Sequence, residues 1–186
     1  MASSHSYTLF IIIISFLLIS ISITSSNANF SENFLESITM MRMEKTTHLH
    51  FYFQDVLSGK NPTAVKIIGE GIGFGTTFMI DDKLTEGVEP DSKIIGRAQG
   101  MYSLAAQNDA ALLMIVTFAF TEWSYNGSSI SMLGRNHVFD DVREMPIVGG
   151  SGMFRFARGY ALAHTVWFDP KTGDASVEYN VTVQHF

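Results

Sequence analysis

Residues 140–161 read DDVREMPIVGGSGMFRFARGYA. The stretch opens as a charged loop, then passes through a glycine-rich turn that leaves no room for a helix. Beyond the turn the side chains alternate as on a strand. Phe154, Phe156, Arg158, Tyr160 and Leu162 fall on one face; Met153, Arg155, Ala157, Gly159 and Ala161 fall on the other. The first face is aromatic yet carries an arginine, and a guanidinium turned into an apolar interior needs a partner or a ligand. The stretch predicts an apolar cavity with charge inside it. Phe154, Phe156 and Arg158 are its candidate substrate contacts.

The same alternation recurs on both sides. In residues 47–57, Leu49, Phe51, Phe53, Asp55 and Leu57 share a face. Asp55 thus lies on the apolar side, where it either turns to solvent beside Ser58-Gly59 or lines a pocket. His48 and His50 sit two apart on the opposite face with no third ligand in view, which reads as surface histidines and no metal site. The run GEGIGFG at 69–75 is no phosphate loop, because β-formers and not a helix follow it. In residues 92–104, Ile94, Gly96, Ala98, Gly100 and Tyr102 share a face. These small residues either make room for a ligand beside Tyr102 or let strands pack closely at a barrel bend.

Residues 111–121 are apolar on both faces, so one face can line an interior while the other must meet a second layer or a second subunit. That predicts a homo-oligomer. Tyr125-Asn126-Gly127-Ser128 signals a hairpin, followed by a short strand over 128–134 and a long loop over 135–152. Residues 169–173, DPKTG, form a turn, and residues 175–184 alternate cleanly to the end. About eight strands at hairpin spacing, with no convincing internal helix, give an all-β fold. We expect an eight-stranded antiparallel β-barrel with an apolar central cavity.

The apolar run at 9–23 and the small residues Ser26-Asn27-Ala28 read as a signal peptide over residues 1–28. The run is too short for a membrane span, so no membrane association is expected after cleavage. Residues 29–46 form a loosely held N-terminal segment and residues 47–186 one domain. The chain has no cysteine, which excludes thiolate catalysis, and a net charge of −6 gives no reason to expect nucleic acid. Sequons at Asn29, Asn126 and Asn180 are candidate glycosylation sites and fit a secreted protein. No serine lies in a nucleophile-elbow motif and no cofactor motif is visible, so no cofactor is expected. What remains is an apolar pocket with Asp55, Tyr102, Asn136, Arg143 and Arg158 as polar groups. Such a pocket can bind phenolic rings and exchange protons with them.

With HFYFQD at 50–55, GRAQGMY at 96–102 and the 140–161 stretch, residues 48–186 resemble the plant dirigent family. The resemblance implies a barrel of the allene-oxide-cyclase kind, secreted to the apoplast as a trimer, with roles in lignan biosynthesis and plant defence. It implies a non-oxidising protein that orients two monolignol radicals, such as those of coniferyl alcohol, which a separate laccase or peroxidase makes. The family's carboxylate falls on Asp55, its tyrosine on Tyr102 and its arginine on Arg143, with Phe51, Phe53, Asn136 and Ala175 among the substrate contacts. Lignan-forming members carry aspartate at the position of Asn136, phenylalanine at that of Ala175, and a cysteine pair that is missing here. The patterns Gly134-Arg135-Asn136 and VREMP at 142–146 are more similar to a subgroup that includes pterocarpan synthases. That likeness implies the alternative of an isoflavanol dehydratase and cyclase. Asp55 would then be its general acid, and Arg143 or Tyr102 would stabilise a quinone methide oxygen. A wall-associated binding module without turnover is the third reading.

Overall fold

The computed structural model describes residues 43–186. The expected signal peptide over 1–28, Asn29 and most of the expected N-terminal segment lie outside the described residues. Nine antiparallel strands follow in chain order: β1 (Lys45–Asp55), β2 (Ala64–Ile68), β3 (Thr77–Thr85), β4 (Ile94–Leu104), β5 (Ala111–Phe120), β6 (Ser129–His137), β7 (Arg143–Ser151), β8 (Arg158–Phe168) and β9 (Ala175–His185). Neighbours pair in the order β1-β9-β8-β7-β6-β5-β4-β3-β2. β1 also pairs with β3, Tyr52 opposite Thr85 and Gln54 opposite Lys83. That seam closes eight strands into the expected barrel. β2 stands outside the closure and pairs with the first half of β3, Ala64 opposite Ile80.

Alternation explains the core. On β1, Phe51 is fully buried, and its ring lies 5.1 Å from that of Phe118 and 5.7 Å from that of Tyr179. Phe53, Met114, Val116, Met132, Met145 and Val181 complete the packing around them. Burying one such side chain contributes about 1.5–3 kcal/mol, so the barrel centre supplies much of the fold's stability.

Three sequence expectations are corrected. The face assigned to Phe154, Phe156, Arg158, Tyr160 and Leu162 does not exist as one face. A 3-10 turn spans Gly152–Phe154 and Phe156 takes a left-handed φ of 62°, so the period of two breaks before β8 begins at Arg158. Phe154 is fully buried, whereas Phe156 is 74% exposed and Tyr160 is also exposed; Ala161 and Ala163 face inward instead. The supposed loop over 135–152 is mostly strand, formed by the end of β6 and all of β7. Pro146, Gly149 and Gly150 masked the inward alternation of Arg143, Met145 and Ile147. β2 was not anticipated, because its side chains after Ala64 are all exposed.

The small residues of β4 serve close strand packing. A methyl group on Gly96 would strike the Ala119 carbonyl oxygen, and one on Gly100 that of Ile115. The turn expected at 169–173 is present, closed by the Gly173 amide donating to the Asp169 carbonyl at 2.8 Å.

Candidate functional site

The strand register gathers the polar interior groups at one rim. Asp55 ends β1 opposite Ala175, which begins β9 and also faces Phe168 at the end of β8. Arg143 begins β7, and Asn136 lies near the end of β6 opposite Leu112. Tyr102 lies near the end of β4, opposite Phe78 and Met114. Asp55, Tyr102, Asn136 and Arg143, separated by up to 88 residues in sequence, thus share one end of the barrel. Phe51 and Phe53 form its floor, and Ala175 is half-buried at its edge.

Arg143 is 5% exposed and Asn136 6%. The Arg143 Nε donates to Asn136 Oδ1 at 3.0 Å, and a terminal nitrogen donates to Thr165 Oγ1 at 2.9 Å. No carboxylate forms a salt bridge with Arg143 among the described residues. Burial therefore pulls its pKa down, against the opposing pull of Tyr179, Asp140 and Asp141. A buried cation held by neutral dipoles keeps its charge available for an anion that develops beside it.

Asp55 is the opposite case. Burial pushes its pKa up to about 8, with the negative charges of Asp82 and Asp174 adding to the rise. Its Oδ1 is shielded and has no hydrogen-bond partner among the described residues. The Tyr102 hydroxyl is turned toward the Asp55 carboxyl and stabilises its charged form. Burial and Asp55 together keep the Tyr102 phenol protonated far beyond neutral pH. Near neutrality Asp55 is a carboxylic acid, a proton donor in an aromatic enclosure.

Three residues of this rim escaped the sequence reading. Tyr179 on β9 is buried within electrostatic range of both Arg143 and Asp55. Thr165 holds the Arg143 guanidinium. Asp82 on β3 is fully buried. The period of two places Phe78, Ile80, Asp82 and Leu84 on one face, but the sequence reading took 76–80 only as β-formers after the glycine run and did not follow that face to Asp82.

Arg158 is not part of the site. Its side chain points outward and pairs with Glu44 at 2.7 Å. Phe156 also lies outside the interior, and Phe154 closes the opposite end by stacking on Tyr125 at 5.1 Å. A depression of about 470 Å³ lies near that end between Met43, Lys45, Met153, Arg155 and Phe156. Its lining carries two cationic side chains and no acidic side chain, whereas the Asp55 rim holds a carboxyl. His48 and His50 face Thr182 and Glu178, and no metal-binding cluster occurs among the described residues. Asn126 is exposed in the β5–β6 turn and Asn180 is exposed midway along β9.

The family profile of dirigent-like proteins matches residues 46–184. Dirigent protein 23 of Arabidopsis thaliana is 54% identical over 149 residues, which span 76% of this chain and 79% of that protein. Pterocarpan synthase 1 of Glycine max is 46% identical over 166 residues, 86% of this chain and 89% of that protein. The solved structure of the pterocarpan synthase dirigent protein GePTS1 superposes with a TM-score of 0.75 at 48% identity, covering 77% of this chain and 86% of the other. With its closed barrel and a family match across nearly all the described residues, the chain belongs to the dirigent-like protein family and resembles its pterocarpan synthases.

Proposed function

We propose that the Asp55 rim removes water from a phenolic alcohol of the isoflavanol type and closes a ring through a quinone methide. The observation that carries this reading is the Asp55 carboxyl, whose shielded Oδ1 has no hydrogen-bond partner among the described residues, at the same rim as a buried arginine held by an amide and a hydroxyl. Asp55 gives its proton to the benzylic hydroxyl. The carbon–oxygen bond breaks and water leaves with the bonding pair. Electrons flow in from the phenolic oxygen of the same ring, whose proton passes to solvent. A second phenolic hydroxyl then adds to the methide carbon and returns a proton to the Asp55 carboxylate. The first oxygen passes through a phenolate as the ring regains aromaticity, and Arg143 stabilises that charge before solvent reprotonates it. The net change is the loss of one water. The similarity to pterocarpan synthases over most of the chain supports the same reading.

Family membership favours a second reading, in which the rim only orients two monolignol radicals supplied by a separate oxidase. One experiment separates the two. Secreted protein is incubated with a 2′-hydroxylated isoflavanol without oxidant, and in parallel with coniferyl alcohol and a one-electron oxidant. Products are resolved by chiral chromatography. Rapid ring closure in the first arm supports the dehydratase. Racemic or absent product there, with one lignan enantiomer in excess in the second arm, overturns it.

The assembly we propose is a homo-oligomer built on the outer face of the barrel. Val65, Met79, Met101, Ile115 and Leu133 stand in register across β2, β3, β4, β5 and β6. All but the half-buried Met101 are at least 40% exposed. Sedimentation should give a multiple of the chain mass that Ile115→Lys reduces to one; a monomeric parent would refute it. The leader-like segment at 1–28 and the sequons at Asn126 and Asn180 support secretion into the apoplast as a glycoprotein.

A further inference from the structure

β1 and β3 pair only at Tyr52–Thr85, Phe53–Leu84 and Gln54–Lys83. One further step along that antiparallel register sets Asp55 opposite Asp82, and side chains so placed on adjacent strands approach closely. Asp82 is fully buried. Its Oδ1 accepts a hydrogen bond from the Thr63 hydroxyl. Its Oδ2 has no partner among the described residues, and the same holds for Oδ1 of Asp55. Two buried carboxyl oxygens without partners on facing residues are costly as a pair of anions. A single proton held between them relieves both costs, since the acid donates and the carboxylate accepts.

We infer that Asp82 is a positioning residue that shares a proton with Asp55 across the β1–β3 seam and keeps the acid loaded. The inference rests on the proposed role of Asp55 and deepens it. Other charges also face the pair. Tyr102 on β4 and Asp174 before β9 face Asp55, while Arg97 on β4 and the adjacent Asp81 act on Asp82. Arg97 is itself held on the outer side by Asp81, at 2.9 Å. Asp174 is occupied by the Leu57 and Ser58 amides and the Ser58 hydroxyl. Asp82 alone offers Asp55 a buried and uncommitted oxygen. Burial and its neighbours push the Asp82 pKa up to about 7, in line with one proton shared by two acids.

The test reads the pair without substrate. Infrared difference spectra of the full chain are recorded against pH, following the carbonyl band of the protonated carboxyl. The parent protein should show this band at neutral pH and lose it near pH 8. Asp82→Asn removes the neighbouring charge and should lower the midpoint by about one pH unit or more. Thr63→Val keeps both carboxyls but withdraws the hydroxyl that stabilises the Asp82 anion, and should raise the midpoint. The alkaline limb of the dehydration rate should move with each. A parent protein without the band at neutral pH overturns the inference, as does a midpoint that neither substitution moves. The band and its shifts without dehydration would leave the pair in place and count against the proposed reaction alone.

Discussion

Arg143 and Asn136 meet inside the barrel rim, with the arginine Nε donating to the amide oxygen at 3.0 Å. Both side chains are buried, and the contact fixes the guanidinium without cancelling its charge. The neutrality of residue 136 therefore has a function. Asn136→Asp would place a carboxylate on Arg143 and should slow dehydration by roughly tenfold. Arg143→Leu should cost on the order of 10²–10³ in kcat, as loss of an oxyanion donor does. Steady-state rates with an isoflavanol and no oxidant check both.

Tyr102 and Asp82 act on Asp55 in opposite directions. The Tyr102 hydroxyl lowers the Asp55 pKa and the Asp82 charge raises it. Dehydration needs the acid form, so its rate should be level at low pH and fall as pH rises through about 8. Tyr102→Phe should push that alkaline limb to higher pH, whereas Asp82→Asn moves it lower. A pH–rate profile of each variant checks the signs.

His137 bridges two loops at the same rim, 2.6 Å from Asp109 and 2.7 Å from Asp140. Both ring nitrogens face carboxylates, and hydrogen bonds to them raise its pKa. A pKa raised on folding gives stability that is complete below the unfolded value near 6.5 and lost as pH rises through the folded one. Asp55 and Asp82, also raised, lose stability with rising pH between about 4 and 8. The parent should therefore melt at lower temperature as pH increases over this range. His137→Gln should melt closer to the parent at pH 9 than at pH 5. Differential scanning fluorimetry across pH checks this.

The barrel was legible because alternation over β1, β5 and β9 survives intact in the sequence. Asp55 stood out for the same reason, as a charge on an otherwise apolar face. Arg158 followed an identical argument and came out wrong. The left-handed Phe156 and the 3-10 turn before it shift the phase, and such a backbone break leaves no mark in a count of two. Asp82 and Tyr179 depended on register. Only barrel closure brings β3 beside β1, and only the pairing of β9 with both β1 and β8 puts Tyr179 between Asp55 and Arg143. Long-range pairing of this kind cannot be read from local periodicity.

The most direct test is the initial rate of water loss from a 2′-hydroxylated isoflavanol at pH 6, with no oxidant present, for the parent protein and for Asp55→Asn. Asp55 as the general acid requires stereoselective ring closure by the parent and a rate lower by a factor on the order of 10²–10⁴ in the variant. Equal rates in the two proteins, or no turnover by the parent until an oxidant and a monolignol are supplied, would contradict it.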